Sequence, residues 1–132
     1  MPKITTLLMF EGKAEEAINF YISIFDNSKI ISISRYGANE AGEKGNVARA
    51  IFSLNGQEFM CTDSVVKHPF TFTPAMSLFV TFDTEDEINR VFAKLSEDGS
   101  VLMPLSAYPF SPKFGWVNDK FGVSWQLSLT SN

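Results

Sequence analysis

Alternation between apolar and polar side chains is clearest near the C-terminal end, where two such runs flank Asn118-Asp119-Lys120-Phe121-Gly122. In the second run Trp125, Leu127 and Leu129 point one way, and Ser124, Gln126 and Ser128 the other. That is the period of a strand with one face on a core and one face left polar. With glycine where a tight turn needs positive φ, Lys113–Leu129 reads as a β-hairpin.

Upstream, Ile4–Phe10 is short and mostly apolar, the pattern of a strand buried on both faces. Gly12 then opens a helix with Glu15 and Glu16 in its first turn, favourable against the helix dipole. Ala14, Ala17, Ile18, Tyr21, Ile22 and Phe25 form its apolar stripe, and Asp26-Asn27-Ser28 ends it. Lys29–Tyr36 alternates as a strand, whereas Gly37–Asn46 is glycine-rich and aperiodic and reads as a mobile loop. Val47–Leu54 and Gln57–Asp63 are joined by Asn55-Gly56, a strong hairpin signal.

Ser64–Pro74, with His68-Pro69 and Pro74, reads as a linker, after which the order repeats. Ala75–Phe82 is a strand, and Thr84-Glu85-Asp86-Glu87 is a capping box. Ile88, Val91, Phe92 and Leu95 form the stripe of a second helix stopped by Gly99. Val101–Leu105 is a strand, Ser106–Pro112 a proline-broken loop, and the terminal hairpin follows. The pattern predicts an α+β chain: two βαβββ modules, residues 1–63 and 75–132, joined by the linker 64–74 in a single domain.

Composition narrows the function. Thirteen phenylalanines in 132 residues predict an aromatic-rich interior or pocket. A net charge of −4 and a pI near 4.9 argue against nucleic-acid and anionic-membrane partners. No apolar run reaches the ~18–20 residues that span a bilayer, and the start MPKITTLLMF lacks a signal peptide's long apolar segment and cleavage site. Cys61 is the only cysteine, so neither an intrachain disulfide nor a cysteine zinc cage is expected, and a cytoplasmic location is the default. No Gly-x-Gly-x-x-Gly follows a predicted strand, no P-loop is present, and the length leaves no room for a doubly wound nucleotide-binding fold.

Three runs carry a family resemblance: FEGKAEEAINFY at 10–21, LMPL at 102–105 and FGWVNDKFGVSWQL at 114–127. Over nearly its whole length the chain resembles the PhnB-like branch, labelled 3-demethylubiquinone 3-methyltransferase-like, of the vicinal oxygen chelate superfamily. That superfamily includes glyoxalase I, bleomycin-resistance proteins, fosfomycin-resistance enzymes and extradiol dioxygenases. The resemblance implies βαβββ modules whose sheets curl into a cup with helices outside, and a homodimer. In metal-using relatives the ligands come from the first strand of each module and from a last strand. Carried over by position, those places fall on Thr6, Ser77 and Gln126. Strand alternation sets the three opposite Leu7 and Met9, Leu78 and Val80, and Trp125 and Leu127, which predicts one shared, uncharged cavity.

Hydroxyls and an amide bring no negative charge to offset a cation's desolvation, so no metal or other cofactor is expected at these positions. His68, before a proline in the linker, is expected to be at the surface or hydrogen-bonded. Cys61 is expected as a small core hydrophobe, and Asp63 either as a loop cap or as a pocket acid. Arg49 interrupts an apolar strand and reads as an outward arginine or as an anion clamp, with Arg35 placed to pair with Glu58 or assist it. Phe79, Tyr108 and Trp116 are core or ligand contacts, Tyr108 and Phe110 being placed to close over a cavity. The resulting expectation is a dimeric small-molecule binding protein with ligand contacts from Thr6, Ser77, Gln126, Arg49, Phe79, Tyr108 and Trp116, and no assigned catalytic residue. The alternatives are a metal-dependent lyase, isomerase or dioxygenase with a non-standard ligand set, and metal-free acid–base chemistry by Asp63 or His68.

Overall fold

Asp63 sits at the centre of the first half of the chain. It closes its strand, is 2% exposed, and its carboxylate accepts three backbone N–H bonds. Oδ1 accepts from Gly12 at 2.8 Å and Ala14 at 3.0 Å, and Oδ2 from Val47 at 2.9 Å. A computed structural model describes residues 2–130 and divides into two compact units, Met1–Pro69 and Phe70–Asn132.

The first unit runs β1 (Thr6–Phe10), α1 (Ala14–Ile24), β2 (Lys29–Arg35), β3 (Val47–Leu54) and β4 (Gln57–Asp63). Its four strands lie in the order β1-β4-β3-β2, with β1 parallel to β4 and the other pairs antiparallel. Lys13, the residue before α1, offers no side-chain cap. The orphan amides at that end are instead satisfied by Asp63, so the end of β4 fixes where α1 begins. Helix α1 buries Ala14, Ala17, Ile18, Tyr21 and Ile24. The sheet face that packs with it carries Leu8, Phe10, Ala50, Phe52, Phe59 and Cys61, all buried, and the register partners Phe52 and Phe59 stack at 5.5 Å. The β3–β4 turn has Asn55 at φ 49° and Gly56 at φ 88°, the two positive φ angles of a type I′ turn.

The second unit repeats the plan: β5 (Leu78–Phe82), α2 (Glu85–Ser96), β6 (Ser100–Tyr108), β7 (Ser111–Asn118) and β8 (Ser124–Leu129). The sheet order is β5-β8-β7-β6, with β5 parallel to β8. Thr84 Oγ1 caps α2 by accepting from Glu87 N at 3.3 Å. The buried stripe is Ile88, Val91, Phe92 and Leu95, as the spacing predicts. By alternation and register, the face beneath α2 holds Phe82, Gly115, Val117, Trp125 and Leu127. A Cβ on Gly115 would lie 2.4 Å from the Phe92 ring, so only glycine lets the helix approach here.

Four segments differ from the sequence-based expectation. Helix α1 stops at Ile24, which is buried, while Ile22 and Phe25 are only half-buried. The base of the loop 37–46 is closed by two bonds, Tyr36 N to Asn46 O at 2.9 Å and Gly45 N to Tyr36 O at 3.0 Å, which extend the β2–β3 hairpin beyond Arg35. Strand β5 starts at Leu78 rather than Ala75, placing Ser77 immediately before it. The expected loop 106–112 is instead the close of the β6–β7 hairpin, with the pair Tyr108↔Ser111. Both prolines of that segment are accommodated there. Pro109 lies in the turn between the two strands, and Pro112 precedes the first β7–β8 pair, Phe114↔Ser128.

Two substitutions test this packing by urea denaturation. Asp63→Ala strands the buried amides of Ala14 and Val47 and the part-buried amide of Gly12, and is expected to lower unfolding free energy by about 3 kcal/mol. Gly115→Ala forces the Phe92 ring to move and is expected to lower it by about 1–3 kcal/mol. Wild-type midpoints for either variant would contradict the assignment.

Candidate functional site

In the second unit, the sheet face opposite α2 is built from rows that cross the strands. Phe79, Gln126, Trp116 and Met103 are successive register partners across β5, β8, β7 and β6. Ser124 pairs with Asn118 on one side of that row, and Ser128 with Phe114 on the other.

A hydrogen-bonded chain ties the polar members together. Trp116 Nε1 donates to Ser124 Oγ at 2.8 Å, Ser124 Oγ and Ser77 Oγ lie 2.7 Å apart, and Gln126 Nε2 donates to Ser77 Oγ at 3.2 Å. Ser124 is 2% exposed; Ser77, Trp116 and Gln126 are half-buried. These contacts use one indole proton, one amide proton and one of the two hydroxyl protons. One hydroxyl proton, the second Gln126 N–H and Gln126 Oε1 are left over. Further along, Ser111 Oγ and Ser128 Oγ lie 2.9 Å apart.

Beside this chain lies an aromatic cluster centred on the buried Phe114. Phe110 meets it edge-on at 4.9 Å, Tyr108 edge-on at 5.9 Å, and Phe79 tilted at 6.4 Å. Tyr108 stacks on Phe110 at 5.7 Å, and its hydroxyl donates to Pro104 O at 2.7 Å. Phe79 and Phe110 are 61% and 65% exposed, an unusual amount of aromatic surface to leave in contact with water.

The structure thus brings Ser77, Gln126 and Trp116 into one network through Ser124, and Phe79 and Tyr108 into one cluster through Phe114. The other two expected contacts lie in the first unit. Thr6 shares the alternating face of Leu8 and Phe10, the face turned to α1, and Arg49 lies on the opposite face of that sheet. Thr6 thus lies opposite Leu7 and Met9, as alternation predicts, but that side is the one turned to α1: the apolar run Thr6–Phe10 gives no signal of which face the core takes. Arg49 is exposed; its carbonyl accepts from Ser34 Oγ at 3.4 Å, while its guanidinium makes no hydrogen bond or ion pair to the described residues. Arg35 pairs neither with Glu58 nor with Arg49. Its guanidinium donates twice to Glu15 on α1, at 2.6 and 3.2 Å, while Glu58 pairs with Lys3 at 2.8 Å. That guanidinium holds the Glu15 carboxyl below its usual range.

Asp63 acts as a cap, its carboxylate occupied by backbone amides. Cys61 is fully buried on the α1 side, and burial, reinforced by the nearby Asp63 charge, pushes its thiol up to about 12. The backbone N–H of His68 donates to Glu11 Oε2 at 3.3 Å. Among the described residues no three His, Cys, Asp or Glu side chains are grouped so as to hold a metal ion. The neutral hydroxyls and carboxamide at Ser77, Ser124 and Gln126 do not fit the divalent cation that metal-using relatives carry.

Sequence reasoning set Ser124 on the polar face but gave it no role, and it passed over Asp119 except as part of a turn. Ser124 is the hub of the polar chain. Asp119, 3% exposed, accepts from Phe121 N at 2.8 Å, Val123 N at 3.1 Å and Trp125 Nε1 at 2.8 Å. The signal for Asp119 lies in the turn itself, since a short acidic side chain ahead of a glycine commonly accepts from the amides that follow it.

Comparison with known proteins gives one family. The family model described as 3-demethylubiquinone-9 3-methyltransferase matches residues 2–128. A Bacillus cereus PhnB protein, described as a 3-demethylubiquinone-9 3-methyltransferase, is 68% identical, with TM-score 0.95 over 98% of this chain and 100% of its own. Protein PA1353 from Pseudomonas aeruginosa is 25% identical, with TM-score 0.79 over the whole of both chains. A glyoxylase/bleomycin resistance protein/dioxygenase domain from Frankia shares the fold alone, at 12% identity and TM-score 0.66 over 100% of this chain and 94% of its own. No curated protein matches.

Two outcomes are expected from this geometry. Replacing Ser124 by Ala removes the acceptor of the Trp116 indole, so in a ¹H–¹⁵N spectrum the Trp116 indole resonance shifts while that of Trp125, held by Asp119, does not. An unmoved Trp116 resonance would contradict the network. For Cys61, the folded thiol pKa lies above the unfolded value of about 8.5. Its contribution to stability is therefore complete below that pH and falls as pH rises toward 12, by about 2 kcal/mol at pH 10. Cys61→Ala should flatten this alkaline slope in denaturation curves; an equal slope in the variant would contradict the burial argument.

Proposed function

The chain belongs to the 3-demethylubiquinone-9 3-methyltransferase (PhnB) family, within the glyoxalase/bleomycin-resistance superfamily, and on that footing we propose that it is a small-molecule binding protein. It holds an aromatic or amphipathic ligand on the face of the second unit opposite α2. It does so as a homodimer in the cytoplasm, with the metal-ligand positions of its relatives given over to neutral groups. One observation carries this reading. The Trp116–Ser124–Ser77–Gln126 chain lies beside exposed Phe79 and Phe110, on a face with no carboxylate, imidazole, thiol or amine. Residues of that kind supply apolar contact and fixed hydrogen bonds, but neither a general base nor a cation site.

The proposal gives ligand contacts to Ser77, Phe79, Tyr108, Trp116 and Gln126, and leaves Thr6 and Arg49 out. Self-association is supported by exposed apolar side chains such as Ile4, 97% exposed, and Met76, 72% exposed. No helix of the described residues is long and apolar enough to cross a membrane.

Native mass spectrometry of protein incubated with a metabolite mixture tests the binding claim, with elemental analysis of chelator-free preparations alongside. The expected result is a dimer carrying a small organic adduct, with sub-stoichiometric transition metal. A bare monomer, or one equivalent of metal per chain, would overturn it.

A further inference from the structure

Lys113 is the only charged residue on strands β5 to β8. By alternation from its neighbours Phe114 and Gly115 it belongs to the α2 face, where its ammonium pairs with Glu85 of that helix at 3.1 Å. The opposite face therefore carries no charge on any of its strands.

At the middle of that face the Gln126 carboxamide is fixed rather than free to turn. Its Nε2 is held by Ser77 Oγ at 3.2 Å, Ser77 is held by Ser124 at 2.7 Å, and Ser124 is braced by the Trp116 indole at 2.8 Å. Oε1 has no partner among the described residues and is not buried, and the second N–H is likewise available. Phe79 and Trp116 flank the amide as its register partners on either side. An acceptor and a donor side by side, set between aromatic rings, complement a ligand with the same pair of groups on a flat apolar body. An ionised group placed there would lose its hydration with no counter-charge to meet it.

Resting on the binding reading above, we propose that this face selects uncharged aromatic ligands bearing a carboxamide or lactam edge. Gln126 reads that edge, while Ser77 and Ser124 act as positioning residues that hold the amide in place.

Calorimetric titration with 2-naphthamide and 2-naphthoate tests this, because the two share a bicyclic body and only the second is ionised at neutral pH. Naphthamide is expected to bind, and naphthoate to bind about tenfold or more weakly. Equal affinity would overturn the selection while leaving the binding reading in place; no binding of either would overturn both. Two variants separate edge reading from simple packing. Gln126→Glu should weaken naphthamide and raise affinity for the cationic 2-naphthamidine about tenfold. Ser77→Ala should weaken naphthamide but leave 2-methylnaphthalene, which has no polar edge, unchanged. Unaltered preferences in Gln126→Glu, or equal losses for both probes in Ser77→Ala, would contradict the proposal.

Discussion

The bond from the Trp125 indole to the buried Asp119 carboxylate is the contact on which the second unit depends. The same carboxylate gathers the amides of Phe121 and Val123, so turn and strand are locked by one group. Register in a half-buried strand is an all-or-none matter: a slip by one residue exchanges its two faces. With Trp125 anchored, Leu127 lies beneath α2, and Ser124 and Gln126 are displayed on the other side. The polar face is thus a consequence of how the core is pinned, and Asp119 governs it without touching it.

The first unit solves the same problem from another direction. Its buried carboxylate, Asp63, stands at the end of the last strand and joins the start of α1 to the start of β3. Each unit therefore contains one nearly fully buried aspartate that accepts three N–H bonds, at places that do not correspond in the βαβββ plan. A charge taken out of water needs several donors to offset its lost hydration, and backbone amides at a turn or helix start are donors already lacking partners. The repeated plan fixes how strands and helix are arranged; the means of locking them is local to each unit.

Much of this fold was legible in the chain because period and turn chemistry agreed. The stripe Ile88, Val91, Phe92 and Leu95 and the Asn55-Gly56 turn each combine two independent signals and are found in place, as is the Thr84 half of the capping box, the bond from Glu87 N. The misread segments lack that agreement. Pro109 and Pro112 argue against strand, yet a place in the turn and one ahead of the β7–β8 ladder accommodate both. In β1 the run Thr6–Phe10 is apolar on both sides, so although Thr6 falls opposite Leu7 and Met9 as assigned, no pattern shows that its side is the one packed on α1. In β8, where alternation is strict, Gln126 and Ser124 could be assigned to the right face. What no sequence pattern carries is the linking of Ser77 to Ser124 across 47 positions, because a parallel β5–β8 pairing leaves no local trace.

The central claim is that the charge-free face of the second unit receives a small molecule. Amide chemical-shift mapping during titration with a library of neutral aromatic fragments tests it most directly. The account predicts perturbations clustered at Ser77, Phe79, Trp116, Ser124 and Gln126, with α2 and the strand residues beneath it unmoved. Perturbations confined to other surfaces, or none from any fragment, would contradict it.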